Sequence, residues 1–114
     1  MPSIEDRYDE AIALKEAGSL EDAVANLKAL VGDAPDYALA HAALSVFYSR
    51  QERHDQAVDH AQKVCELDPD DPFSFMSMSL ICQKAGRLVE AEQALAQAME
   101  KQWAARKNST PENP

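Results

Sequence analysis

Residues 38–71, ALAHAALSVFYSRQERHDQAVDHAQKVCELDPDD, decide how the chain folds. They read as two helices joined by a turn, and the same pattern stands on either side at a step of 34 positions. Ala57 has Ala23 and Ala91 one step before and after it. The step also links Pro35 with Pro69, Gly18 with Glu52 and Gly86, Leu27 with Ala61 and Leu95, and Leu30 with Val64 and Ala98. Three units, 4–37, 38–71 and 72–105, follow one another without insertion. A period of this length marks stacked helical repeats, no one of which can bury its apolar face alone.

Composition agrees with an all-α fold of six helices. The 114 residues suffice for one domain. An apolar fraction of 46% with 27% charged residues is that of a folded chain rather than a disordered one. Glycine is scarce, at three residues, and alanine, which loses least side-chain entropy in a helix, is abundant. The net charge of −9 lies in the first two units: residues 1–71 hold 16 acids and 6 bases, residues 72–107 hold 3 acids and 5 bases. An acidic chain lacks the basic footprint of a nucleic-acid binder. No run approaches the roughly 20 apolar residues that span a bilayer. The acidic start, Met1 to Asp6, carries no secretory signal, and two cysteines without a secretion context fit a reducing compartment. The cytoplasm is the expected location.

Taken in order, Ser3 and Asp6 form a capping box for a helix from Ile4 to about Ala17, and Gly18 supplies the turn. Ser19 is placed to cap a second helix, Leu20 to Val31, with Gly32 as its terminal cap and Pro35-Asp36 opening the next. In the second unit Glu52 stands where the flanking units have glycine, so its turn is either looser or strained by about 1 kcal/mol. Asp71 and Pro72 suit the cap and first position of a fifth helix reaching Ala85. That helix has apolar groups on two sides, Phe73, Met76 and Leu80 on one and Phe75, Met78 and Cys82 on another. A sixth helix runs from Leu88 to about Arg106 with an inner stripe of Leu88, Ala91, Leu95 and Ala98. Residues 107–114 read as a disordered polar tail, which leaves 1–106 as the domain.

The pattern resembles the tetratricopeptide repeat family, whose period is 34 and whose signature is W-x2-L-G-x2-Y, then A-x3-F, then P. The middle unit answers with His41, Leu44, Ser45, Tyr48, Ala57, Ala61 and Pro69. The third answers with Phe75, Met78, Ser79, Cys82, Ala91 and Leu95, and the first with Ala11, Leu14, Ala23, Leu27 and Pro35. Arg7 and Glu10 depart from the signature in a way that suits a solvent-facing first helix, and Trp103 takes the place of the third proline. The resemblance implies a right-handed superhelix whose concave wall, built from the first helix of each unit, binds peptides or partner helices. Carried over by position, that wall holds Tyr8, Ile12 and Lys15, then Ala42, Val46, Ser49 and Arg50, then Phe73, Met76, Ser77, Leu80 and Gln83. Family members that bind terminal carboxylates use lysine, asparagine and arginine there. This chain has Tyr8, Ile12, Ala43, Phe73 and Ser77 at those places, which argues against that mode.

A second candidate surface, an oligomer edge, is Val89, Ala96, Met99 and Trp103 on the last helix, since a terminal repeat normally shows a polar outer face. The alternative is that Trp103 folds back onto the core edge. No metal site is expected: His54 and His60 are six apart, not the three or four of a helical ligand pair, and Asp68, Asp70 and Asp71 lack the rest of a calcium loop. Cys65 and Cys82 read as buried free thiols. No phosphate loop or nucleophile elbow is present, so neither cofactor nor catalysis is expected. The expected function is a non-catalytic adaptor holding a protein or peptide in an apolar groove. The alternatives are a self-assembling subunit, a homodimer through the third unit, or a small secretion or assembly chaperone.

Overall fold

The computed structural model describes residues 1–109, with side chains as far as Lys107. It contains six helices in three antiparallel pairs: α1 (Ile4–Glu16) with α2 (Leu20–Asp33), α3 (Ala38–Arg50) with α4 (His54–Leu67), and α5 (Pro72–Lys84) with α6 (Leu88–Ser109). Each helix packs on its neighbours in sequence, and α3 also touches α5. The helices α3 and α5 thus approach each other across the inner side, with α4 behind them. The described body is accordingly elongated, 53 × 35 × 23 Å.

Three identical turns fix the hairpins. Ser19, Arg53 and Arg87 donate backbone hydrogen bonds to Leu14, Tyr48 and Cys82, and the preceding Gly18, Glu52 and Gly86 donate to Lys15, Ser49 and Gln83, all at 2.8–3.0 Å. This is the Schellman closure of a helix end, which demands a left-handed residue in its middle. Gly18 and Gly86 meet that demand with φ of 88° and 77°, and Glu52 is forced to 61°. The middle turn is therefore strained rather than loosened.

At the helix starts the capping box of α1 is present: Asp6 N–H donates to Ser3 Oγ at 3.0 Å and Ser3 N–H to Asp6 Oδ2 at 3.4 Å. Asp71 caps α5 by accepting from Phe73 N–H at 3.0 Å, with Pro72 in the first turn. Other expectations fail locally. Ser19 makes no side-chain cap, and α2 passes through Gly32 to end at Asp33. Pro35 and Asp36 form a turn, and α3 starts at Ala38. The helix α6 continues through residues 107–109, where a disordered tail was expected; the rest of that stretch, 110–114, lies outside the described residues.

One core threads all three units. Leu27, Leu30, Leu44, Val58 and Cys82 are its largest fully buried side chains, joined by alanines at the helix crossings: Ala11, Ala23, Ala40, Ala57 and Ala91. A smaller cluster of Cys65, Phe75 and Ala98, with Met76 and Met78 against it, seals α6 onto α4 and α5. Ser79 Oγ donates to the Ala91 carbonyl at 2.9 Å across α5 and α6, and Cys65 Sγ donates to the Ser74 carbonyl at 3.4 Å across α4 and α5. Burial as the first cause pushes the Cys65 thiol up to about 11, so it stays protonated near neutrality. Ion pairs tie the surface: Arg7 with Asp33 at 2.9 Å inside the first unit, and Arg87 with Asp55 between the second and third.

The last helix departs from its expected inner stripe. Ala91 and Ala98 are buried, but Leu88 and Leu95 are 64% and 44% exposed. Ala61 and Leu27, the residues one and two steps earlier than Leu95, are buried because the next unit covers them. Nothing in the described chain covers Leu95.

Candidate functional site

The inner wall is formed by the faces of α1, α3 and α5 that no neighbouring helix covers. On α5 this face carries Phe73, Ser77, Leu80 and Lys84, all exposed, at the i, i+4, i+7 and i+11 spacing of a single helical stripe. On α3 the matching residues one step earlier are Leu39, Ala43, Val46 and Arg50, and on α1 they are Glu5, Asp9, Ile12 and Glu16. Phe73 is 70% exposed, Leu80 58%, Leu39 54% and Val46 41%. Four large apolar side chains thus face water from two adjacent rigid helices. Between them lies a hollow of about 240 Å³, walled by Leu39, Ala42 and Val46 on one side and Phe73 and Ser77 on the other, with Ala61 and Val64 of α4 as its floor.

Charge divides this wall. The first unit contributes the acids Glu5, Asp9 and Glu16; the second and third contribute Arg50 and Lys84 at the far end of their helices. An occupant therefore meets an acidic patch, an apolar centre and a basic rim. A larger hollow, about 360 Å³, opens on the outer side between α4 and α6. Its rim is Gln62, Glu66, Glu90, Gln93 and Gln97 and its apolar floor is the half-closed cluster of Cys65, Phe75 and Met78. It offers no large exposed apolar side chain, so size does not make it the better site.

Of the residues expected on the wall, Ala42, Val46, Phe73 and Ser77 line the inner hollow, and Ile12, Arg50 and Leu80 extend its stripe. The others are displaced. Tyr8 is half-buried with its ring edge-on to Tyr37, centroids 6.0 Å apart. Ser49 is buried, and Met76 packs against the Cys65–Phe75–Ala98 cluster. Lys15 is half-exposed, and Gln83 lies with Ser79, Leu88 and Leu95 in a groove at the end of the stack. The reason is angular. Tyr8 and Met76 stand in one row, Lys15, Ser49 and Gln83 in another, and both rows are turned from the open stripe towards a helix contact or, for Gln83, the end of the stack. One residue further on, at about 100° per residue, would have pointed to Glu16, Arg50 and Lys84. Lys84 escaped the reading for the same reason; Leu39 escaped it although the step from Phe73 back to Leu39 was available in the sequence.

Val89, Ala96, Met99 and Trp103 are all exposed on α6. Trp103, 67% exposed, does not fold back onto the core. Among the described residues no three His, Cys, Asp or Glu side chains gather as a metal site, and no helix is long and apolar enough to cross a membrane.

A histidine contact escaped the spacing argument because it joins two helices. His41 Nδ1 on α3 lies 3.0 Å from His60 Nδ1 on α4, while His41 Nε2 lies 2.8 Å from the Pro35 carbonyl. A carbonyl can only accept, so Nε2 of His41 carries hydrogen, and in the neutral pair His60 Nδ1–H donates to His41 Nδ1. Tyr48 stacks on His60, centroids 5.6 Å apart. Burial first, and His41 second, hold His60 below the usual histidine range.

Six helices in three like hairpins, closed by the same turn every 34 residues, meet a family model of the tetratricopeptide repeat over residues 8–72, more than half of the chain. The chain belongs to the tetratricopeptide repeat family. No curated protein sequence matches it significantly. Its repeats superpose on a crystal structure of MamA protein with a TM-score of 0.85 at 23% identity, covering 98% of this chain and 61% of that one. A chain of a CopN–Scc3 complex gives 0.79 at 19% identity, covering 86% and 58%. The second tetratricopeptide domain of Spaghetti (RPAP3), solved with the HSP90 peptide SRMEEVD, gives 0.75 at 18% identity, covering 85% and 90%. The chain thus spans about three fifths of the MamA chain. At these identities the likeness is one of fold.

Proposed function

We propose that this tetratricopeptide chain is a non-catalytic adaptor that holds an apolar peptide or helix of another protein against α3 and α5. The observation that carries the reading is the row of Leu39, Val46, Phe73 and Leu80, exposed side by side on two helices that the core holds rigid. Apolar patches on a fixed scaffold mark interaction sites, and a preformed wall loses little entropy on binding. The RPAP3 domain was solved with a peptide and a second similar chain in a protein complex, which supports a use of this kind. The ligand chemistry differs from an acidic peptide such as SRMEEVD, since the first unit lines its part of the wall with Glu5, Asp9 and Glu16. An apolar segment with basic residues towards α1 and acidic ones towards Arg50 and Lys84 fits best. The free, buried Cys65 and Cys82 agree with work in a reducing compartment such as the cytoplasm.

Selection from a displayed random-peptide library tests this directly. Recovered peptides should share apolar anchors and lose at least about tenfold in affinity, some 1.4 kcal/mol, against Phe73→Asp or Leu80→Asp. Both residues are exposed, so the variants should keep the helical circular dichroism of the parent. Peptides that bind all three proteins equally would remove the groove from consideration.

A further inference from the structure

The end of the stack differs from its beginning. On α1 the residues one step before Ala40, Leu44 and Phe47 are Asp6, Glu10 and Ala13, so the face that would meet a preceding unit is already polar. On α6 the matching outer face is apolar. Leu88, Leu95, Met99 and Trp103 follow one another at i, i+7, i+11 and i+15, one side of a helix, and are 64%, 44%, 62% and 67% exposed. The helix is also longer than its counterparts, 22 residues against 14 for α2 and α4, which carries Trp103 past the body of the repeats.

The geometry points to a second copy of this chain as the occupant of that face, with the two α6 helices antiparallel across a two-fold axis at Met99. The stripe is self-complementary in that register. Met99 meets Met99, and Leu95, four residues before it, meets Trp103, four residues after it. Trp103 of the second copy then lies beside the shallow groove of Ser79, Gln83, Leu88 and Leu95, which in the inner units is filled by the next helix. Charge favours the same arrangement: Glu92 lies on the stripe side of the helix, and in this register it falls opposite Arg106 of the second copy. A head-to-tail stack would instead place Asp6 and Glu10 on Leu95, which costs their desolvation.

The size is sufficient. With a full surface of roughly 200 Å² for a large side chain, the four exposures leave on the order of 500 Å² of apolar surface per copy, and pairing hides on the order of 1,000 Å² in all, the lower bound for a specific interface. The dimer should therefore form in the range of about 1–100 μM rather than at nanomolar concentration. It leaves the groove on α3 and α5 free, and so is independent of the adaptor reading.

Light scattering and sedimentation of the full chain across that range test the pairing. The expected mass climbs from 12.5 kDa to about twice that value. Trp103→Glu and Leu95→Glu should hold it at the monomer with unchanged circular dichroism, while Leu80→Asp, on the inner wall, should leave it unaltered. Register is read by a short bis-maleimide: Met99→Cys should be cross-linked between copies, and Gln93→Cys, on the outer side of α6, should not, with the parent chain as blank. A mass fixed at 12.5 kDa throughout, a dimer that survives Trp103→Glu, or cross-linking through Gln93→Cys in place of Met99→Cys each overturns the proposal.

Discussion

Replacing Glu52 by glycine should stabilise the protein, and the repeat supplies its own controls. Glu52 sits at φ 61° in the middle of a helix-closing turn whose counterparts are Gly18 at 88° and Gly86 at 77°. Holding a residue with a Cβ in that region costs about 1–2 kcal/mol. Glycine removes this cost but gives up about 0.5–1 kcal/mol through the freer unfolded chain. The net gain is about 0.5–1 kcal/mol. The Glu52 side chain is exposed, so little else changes. With an unfolding entropy of about 2.1 cal/mol/K per residue, 1 kcal/mol corresponds to roughly 4 °C in a chain this long. Thermal and guanidinium unfolding of E52G should therefore show a midpoint about 2–4 °C higher and a matching rise in denaturant. In the mirror experiment, Gly18→Ala and Gly86→Ala should each lose a similar amount. A Cβ at either glycine meets no atom within 4 Å, so the loss is one of backbone conformation alone. A lower midpoint for E52G together with neutral Gly→Ala variants would refute the strain argument.

Three further outcomes follow from the core. Leu44→Ala, at a fully buried position in the middle unit, should cost about 3 kcal/mol in chemical denaturation because the helices around it cannot close the cavity. His60 binds its proton more weakly in the fold than in the unfolded chain, since burial and His41 lower its pKa. The unfolded chain therefore takes up a proton first as pH falls through about 6.5, and stability drops from there towards the lower folded pKa. His60→Gln should flatten the fall in denaturation midpoint between pH 7.5 and 5.5; an identical slope in both proteins would contradict this. Cys65, with its pKa raised to about 11, should resist a thiol reagent at pH 8 until the chain unfolds, as followed by mass spectrometry, and rapid labelling of the native protein would disprove its enclosure.

The architecture was legible because it is written three times. A small residue at the helix crossing recurs in all three units, a turn glycine in the outer two and a boundary proline in the first two, so any one unit corrects the reading of the others. Local chemistry was less legible where it depends on a neighbour. Gly32 reads as a helix stop, yet the helix runs through it because Leu30 is locked in the core and the chain turns only at Ala34. The His41–His60 contact was invisible to spacing within one helix, since its partners come from two. Of the residues expected on the wall, Ile12, Val46 and Leu80 fall on the open stripe of their helices, while flanking rows are rotated from it by a residue. Composition alone does not say which side of an alanine-rich helix is covered.

The burial of Leu95 shows most clearly what sequence pattern and packing each decide. Leu27, Ala61 and Leu95 occupy one position of the repeat, and pattern assigns all three to the interior. Packing admits two of them and leaves the third 44% exposed, because a repeat's outer helix is closed by the unit that follows. The opposite end has no such conflict: Asp6 and Glu10 already make α1 fit for water. A chain that hydrated only its last helix by chance would be expected to scatter apolar residues around it. Here Ala91, Ala94 and Ala98 are the small residues that let α6 seat on the core, and the large ones, Leu88, Leu95, Met99 and Trp103, are gathered on the open side. Large side chains placed outward and small ones inward are the arrangement of a helix with a partner on each face. That ordering supports the proposed pairing through α6 more strongly than the area of the stripe alone.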